Sequence, residues 1–316
     1  LEPVTTIDQL IRLQTRDWPL AAQNYAGLNN VIERRFQFEG FQVKAQFNPE
    51  RIRSSAAKTD KTSIAERPCF LCKKNRPEEQ VGLDFQKKYE ILINPYPIFQ
   101  QHLTIVGYGH VPQRIANRLP DLLDLAQALP GFTVFYNGPK CGASAPDHFH
   151  FQAGQKNTMP VDPDTNDFLL KNGEQLLNTN TTTVYAAPES YLRHLLVFES
   201  TDREALSQLV AQTIALLPQQ ENETEPMLNI LAHFDHDHWQ ILLFPREKQR
   251  PRQYFREGKE QLLVSPASVE MGGLVILPRR EDFDKISRED LTDIFRQVSL
   301  NKETFDDLKE KIKAIY

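Results

Sequence analysis

Three polar side chains set two residues apart, His148, His150 and Gln152, follow a loop rich in small residues. The stretch reads Tyr136-Asn137-Gly138-Pro139-Lys140-Cys141-Gly142-Ala143-Ser144-Ala145-Pro146-Asp147-His148-Phe149-His150-Phe151-Gln152. With 148–152 as a strand, its period of two puts His148, His150 and Gln152 on one face and Phe149 and Phe151 on the other. A neutral imidazole is a good nucleophile toward phosphorus near neutral pH. It needs a second group to keep its other ring nitrogen protonated, so that the attacking lone pair faces the phosphate. Gln152 can donate to a phosphate oxygen without adding charge. The glycines and small residues before the strand let backbone N–H groups and the Ser144 hydroxyl approach an anion closely. The chemistry is attack on a phosphate ester, with His150 as the nucleophile.

Two other clusters compete for notice. Cys69-x-x-Cys72 points to metal binding or redox cycling, since three cysteines are too few for a disulfide scaffold in a chain of 316 residues. Cys141 reads as loop packing. His236-Asp237-His238-Trp239-Gln240 repeats the H-x-H-x-Q spelling with His233 nearby, but no glycine-rich loop precedes it. Flanked by two apolar strands, it reads as a hairpin turn and a relic of duplication. The basic run Arg246, Lys248, Arg250 and Arg252 reads by default as a solvated surface, with a contact to distal phosphates of a substrate as the alternative.

The elements that must position these groups follow from periodicity. Residues 5–24 carry apolar side chains at helical spacing, and 36–47 alternate around Glu39-Gly40 as a hairpin does. Residues 48–62 are a polar, basic loop. Runs at 89–94, 102–106, 132–136 and 148–152 predict strands, with a proline-started amphipathic helix at 119–129 between them. The second half predicts strands at 194–198, 227–232, 239–244 and 273–277, a helix at 202–217 and closing helices. Strand, polar loop and helix recur at 102–129, 194–217 and 274–295, which predicts an α+β fold of duplicated units. The polar stretch 157–166, holding Pro160 and Pro163, predicts a linker, and 218–226 a surface loop. The expected domains are 1–160, carrying the catalytic motif, and 161–316, a degenerate repeat that completes the pocket.

Composition excludes several classes. A formal net charge of -5, from 37 Lys and Arg against 42 Asp and Glu, gives no global pull toward a nucleic acid polymer, so any phosphate binding is local. No apolar run reaches the length of a membrane helix. The start of the chain lacks the layout of a signal peptide, and the expected compartment is cytoplasmic.

The pattern Asn-Gly-x-x-x-Gly-Ala-Ser-x-x-Asp-His-x-His-x-Gln resembles the signature of the histidine-triad superfamily. The resemblance is to the H-x-H-x-Q branch that holds galactose-1-phosphate uridylyltransferase, diadenosine tetraphosphate phosphorylase and GDP-galactose phosphorylase. Asn94-Pro95-x-Pro97 followed by His102-Leu103-Thr104-Ile105-Val106 and His110 resembles the superfamily's upstream block, with Gly107 where a proline is usual. The motif resemblance covers residues 48–152, with a fainter echo beyond.

That resemblance implies tandem histidine-triad-like units, each a mainly antiparallel sheet with packed helices, and a nucleotidyltransferase of phosphorylase type. His150 would form a covalent nucleotidyl-histidine, the carbonyl of His148 would hold its tautomer, and Gln152 would bind the transferred phosphate. Asn137, Gly142, Ala143 and Ser144 match phosphate-binding loop positions, Asn94 a position near the nucleoside and its phosphate, and Arg51 and Arg53 a basic segment that reaches the nucleotide. Cys69, Cys72, His110 and His148 would hold a structural zinc, with His102 as rival to His110. The expected substrate is an NDP-sugar or dinucleoside polyphosphate, and the acceptor phosphate or a sugar phosphate. Water as acceptor would make a hydrolase, and loss of turnover would leave a nucleotide sensor.

Overall fold

The computed structural model describes residues 5–52, 61–221 and 223–315. The N-terminal amphipathic stretch is two helices where one was expected. Ile7–Asp17 is capped by Thr6, whose hydroxyl accepts from the N–H of Gln9 at 3.2 Å. It ends at Trp18 because Pro19, which opens the helix Pro19–Gly27, lacks an N–H and disfavours helical backbone just before it.

The predicted hairpin is β1 (Ile32–Gln37) and β2 (Gln42–Phe47), with Phe36 opposite Val43 and Gly40 at φ 81° in the turn. The first half continues with β3 (Leu83–Phe85), β4 (Tyr89–Ile93), β5 (His102–Gly107), β6 (Phe132–Asn137) and β7 (His150–Gln155). The second half holds β8 (Glu174–Asn178), β9 (Thr182–Ala186), β10 (Leu196–Ser200), β11 (Leu228–Asp235), β12 (His238–Pro245) and β13 (Leu274–Leu277).

Strands β3 to β12 form one ten-stranded sheet in the order β3-β4-β5-β7-β6-β11-β12-β10-β9-β8, with every pairing antiparallel. Five strands from each half meet at a single seam. There β6 lies against β11, with Asn137 opposite Asn229 and Phe135 opposite Leu231. Alternation at this seam feeds two cores. Val134, Tyr136, Ile230 and Ala232 pack beneath the helices Leu119–Ala128, Arg203–Ala215 and Lys302–Lys313. Phe135 and Leu231 face the opposite core, which is closed by β2, β13 and the helix Arg288–Val298. Helices on one face and a smaller sheet with helices on the other make the α+β architecture.

The third echo of the repeat is not a third copy. β13 leaves the large sheet and runs parallel to β2, with Val275 beside Ala45. The open edge of β2 receives a strand that is buried along its whole length. The stretch expected as a linker is also packed: Met159, Val161 and Thr165 are fully buried, and helical turns begin at Val161. Among the described residues, no helix is long and apolar enough to cross a membrane.

Asp162 in that stretch accepts from Thr133 Oγ1 at 3.2 Å and from the N–H of Asn157 at 2.9 Å. Burial pushes its carboxyl up to about 7, against those two hydrogen bonds. A carboxyl raised in the fold favours the neutral form, so its contribution is greatest at low pH and is lost as pH rises through about 7. Urea midpoints should therefore fall between about pH 5 and about pH 8, and Asp162→Asn should make that fall smaller.

Candidate active site

β5, β7 and β6 lie side by side, and the glycine-containing loop 138–149 joins β6 to β7. Gly138 sits where a Cβ would lie 2.8 Å from the carbonyl oxygen of Leu228, so the loop leaves the sheet by passing close over the second half. Gly142 has φ 102°, and a Cβ there would lie 2.3 Å from that of Ala267. Both the backbone conformation and the space exclude a side chain. Asn229 Nδ2 donates to Asn137 Oδ1 at 3.0 Å and to the carbonyl of Cys141 at 2.8 Å, while Ser268 N donates to the same Asn137 oxygen at 2.8 Å. The loop is thus clamped from behind by the second half. Cys141 is buried packing within it.

β7 begins at His150, two residues later than expected, and His148 precedes it in a turn. The two histidines therefore do not share a strand face. His150 is clamped through its backbone by Gln113, which accepts from His150 N at 2.9 Å and donates to its carbonyl at 2.9 Å and to that of Asn137 at 3.0 Å. His150 Nδ1 lies 2.8 Å from the carbonyl oxygen of His148. A carbonyl only accepts, so Nδ1 carries the proton and Nε2 keeps its lone pair. Burial pulls the imidazole down to about 4, against the raising effect of that hydrogen bond, and keeps it neutral.

Two cavities adjoin here, and this ring lines the apolar one. An apolar one of about 580 Å³ is lined by Trp18, Phe70, Leu71, Leu92, Tyr96 and His150. A smaller polar one of about 80 Å³ is lined by Arg51, Asn137, Gly142, Ala143, Arg250 and Glu270. Asn94, Ser144 and Gln152 line both and mark the junction. Arg51 donates to the carbonyl of Tyr96 at 2.6 Å, and burial lowers its guanidinium to about 10 while Glu270 opposes the shift. Arg53 lies outside the described residues.

Arg67 and Glu270 had no signal in the sequence, and Arg250 only its place in the basic run. Arg67 donates from Nη2 to the carbonyl of Ser144 at 3.0 Å and pairs with Asp147 at 3.3 Å, while its guanidinium lies 4.8 Å from the Phe70 ring. Glu270 arrives from the short helix Ser268–Met271 and Arg250 from the loop after β12, both in the second half. The basic run is not uniformly solvated. Arg246 is buried and donates to Asn229 Oδ1 and to the carbonyl of Pro266, so it braces the clamp rather than facing water.

The look-alike His236 to Gln240 is a hairpin turn, with His236 at φ 47° and Asp237 at φ 63° between β11 and β12. His238 Nδ1 lies 2.8 Å from the carbonyl of His236, the same local lock as at His150. Its groove holds Asp162, Asp167, Glu199 and Asp235 beside Lys156, and no glycine cradle.

Cys69, Cys72, His110 and His148 bring one ligand atom each within 4.8 Å of one another. Cys72 Sγ lies 3.1 Å from His110 Nδ1 and 3.5 Å from His148 Nδ1, and Cys69 Sγ lies 3.3 Å from His148 Nδ1. A tetrahedron with Zn–S of about 2.3 Å and Zn–N of about 2.0 Å needs S to N edges of roughly 3.5 Å. His148 Nε2 lies 2.8 Å from the carbonyl of Gly107, which makes Nε2 the donor and leaves Nδ1 free as a ligand, the usual support of a metal-bound histidine. These four residues fit zinc; His102 lies elsewhere, against Gln152 at 3.0 Å.

Residues 10–155 match the family described as "Domain of unknown function (DUF4922)". Residues 172–316 match the family described as "GDPGP1-like, C-terminal domain". No curated protein matches the sequence. The fold is similar to that of yeast Ap4A phosphorylase Apa2 in complex with Ap4A, at 20% identity and a TM-score of 0.58 over 94% of this chain and 98% of that one. The same yeast protein in complex with AMP gives 18% identity and a TM-score of 0.54 over 92% and 96%. The two family matches together span most of the chain, which shares its fold with the yeast protein. In this chain, the motif His148 to Gln152 and the Cys and His cluster share one turn of backbone, since His148 serves both.

Two outcomes are expected. Protein purified without chelator should hold about one equivalent of zinc by elemental analysis, and Cys69→Ser should lower it well below that. Gly142→Ala should weaken turnover at least roughly tenfold, and adding Ala267→Gly should recover only part of the loss, because the space returns while the strained φ persists.

Proposed function

We propose that this protein is a nucleotidyl-transferring phosphorylase acting on a nucleoside diphosphate-linked substrate, an NDP-sugar or a dinucleoside polyphosphate. The observation that carries the reading is the free Nε2 of a neutral His150, which lines the apolar cavity together with Ser144 and Gln152, two residues that this cavity shares with the polar one. Volume and lining suit the apolar cavity to a nucleoside and the polar one to the leaving group and the acceptor. The yeast enzyme of the same fold is named a phosphorylase of Ap4A and has been captured with Ap4A and with AMP, which supports a nucleotide in this cleft.

The reaction is two in-line displacements. His150 Nε2 attacks the α-phosphorus, forming a P–N bond as the P–O bond to the leaving phosphate breaks. The departing phosphate takes the electron pair and leaves through the polar cavity. An acceptor oxygen of inorganic phosphate or a sugar phosphate then enters by the same route and attacks the nucleotidyl-histidine. The P–N bond breaks and the neutral ring returns. Loop N–H groups, Ser144 and Gln152 stabilise the charge that grows on the non-bridging oxygens. Arg51 and Arg250 balance the charge of the leaving group, and Asn94 holds the α-phosphate side of the nucleoside. Zinc on Cys69, Cys72, His110 and His148 supplies no reacting group; bound there, it holds the carbonyl of His148 in place. In this reading 1–160 is the catalytic domain and 161–316 the repeat that finishes the polar cavity.

The test is intact-mass measurement and product analysis with ADP-glucose, GDP-glucose, GDP-mannose and Ap4A, each with and without inorganic phosphate. A nucleotidyl adduct without acceptor, and phosphate-dependent release of a nucleoside diphosphate, are expected. His150→Ala should remove the adduct and lower the rate by roughly a thousandfold or more. Ser144→Ala should lower kcat by roughly tenfold to a hundredfold. Phosphate-independent release of nucleoside monophosphate would replace the phosphorylase by a hydrolase. Nucleotide binding with neither adduct nor product across the set would leave a sensor.

A further inference from the structure

Among the primary amides that line the polar cavity are Gln152 from β7 and Asn137 from the end of β6. An amide presents either a donor or an acceptor to a ligand, and only its other contacts decide which. Here those contacts leave no choice.

Gln152 Oε1 lies 3.0 Å from His102 Nε2 and 3.4 Å from Asn94 Nδ2. The backbone of the turn between β4 and β5 sets the direction of both contacts. The N–H of Ile98 donates to His102 Nδ1 at 3.1 Å, so Nδ1 is the acceptor and the proton sits on Nε2. The N–H of Tyr96 donates to Asn94 Oδ1 at 2.9 Å, so the NH2 of Asn94 turns toward Gln152. Two donors therefore converge on Gln152 Oε1, and its NH2 is left to the cavity. Asn137 is locked in the same sense from the second half, where its Oδ1 accepts from Ser268 N and from Asn229 Nδ2. Arg246 in turn holds Asn229 through its Oδ1. Among the described residues, neither the NH2 of Gln152 nor that of Asn137 has a hydrogen-bond partner.

We propose that His102 and Asn229 are positioning residues that lock the amides of Gln152 and Asn137 with their NH2 groups inward, so that both amides offer donors to a phosphate. This rests on the function proposed above, since the donors count in turnover only if a phosphoryl group passes between them. His102 touches no substrate and acts through Gln152. Fully buried and carrying no proton at Nδ1, it does this without adding a charge beside the reacting phosphate.

The test separates a lock from a mere core histidine. His102→Asn keeps an acceptor near Ile98 but loses the donor to Gln152, whereas His102→Gln carries an NH2 far enough to replace it. With whichever of the four substrates above is turned over, His102→Asn should lower kcat roughly tenfold or more with KM changed little, and His102→Gln should recover to within about threefold of the unmodified protein. In a Gln152→Ala background, His102→Asn should cost less than about twofold further, because its partner is gone. Asn229→Leu should lower kcat in the same way, independently of Gln152. Equal loss in His102→Asn and His102→Gln, or full additivity with Gln152→Ala, would overturn the assignment. Nitrogen-15 NMR of the His102 ring reads the lock without any turnover. A proton on Nε2 is expected, and one on Nδ1 would sink the proposal even if the enzyme were active. Absence of activity across the panel with the Nε2 proton present would strike the proposed function and leave the lock standing.

Discussion

A neutral imidazole attacks only through the nitrogen that carries no proton, and in this protein one hydrogen bond decides which nitrogen that is. The contact from His150 Nδ1 to the carbonyl of His148 leaves Nε2 without a proton, on a ring that lines the apolar cavity. Everything around it serves to keep that carbonyl in place. The ring of His148 reaches back to Cys69 and Cys72 and forward to the carbonyl of Gly107, and Gln113 pins the backbone of His150 to that of Asn137. Gly107 stands where the superfamily usually has proline, and its carbonyl still supplies the contact His148 needs.

The second half of the chain is part of this machinery through the sheet itself. Because β6 and β11 pair directly, Asn229 stands opposite Asn137, and Arg246 and Ser268 can brace the loop from behind. The amides of the cavity then acquire a fixed polarity, and the glycine at 142 is held against Ala267. The opposite case is seen at His236 to Gln240. The same spelling makes the same lock to a carbonyl, but in a tight hairpin with carboxylates around it and no glycine-rich loop before it. What distinguishes the two motifs is the loop before them and the charge beside them.

Much of the site was legible because it is local. The alternation of 102–106 and 132–136, the glycines at 138 and 142 and the Cys69 to Cys72 spacing each constrain only their own neighbourhood, and the structure places them together. Errors arose where backbone continuity was assumed. Helix 5–24 breaks at Pro19, and His148 sits before β7 rather than on it. The stretch 157–166 is polar in composition yet buries Met159 and Val161, with Asp162 satisfied by two hydrogen bonds instead of water. Composition alone does not reveal that kind of pairing.

The resemblance supplied the candidate zinc set Cys69, Cys72, His110 and His148. The sequence by itself offered His150 as the candidate nucleophile and the loop before it as the candidate cradle, because residue type and short spacing are enough to suggest chemistry that acts over a few bonds. It could not determine Arg67, Gln113, Arg250 or Glu270 as neighbours of that chemistry, nor the buried role of Arg246. These depend on contacts across wide separations in the chain, such as Ile115 N with Glu225 at 2.8 Å or Ser268 with Asn137, which exist only once the sheet is assembled. The polarity of Gln152 belongs to the same class. A glutamine is written identically whichever way its amide faces, and only the donors packed against it by the fold decide.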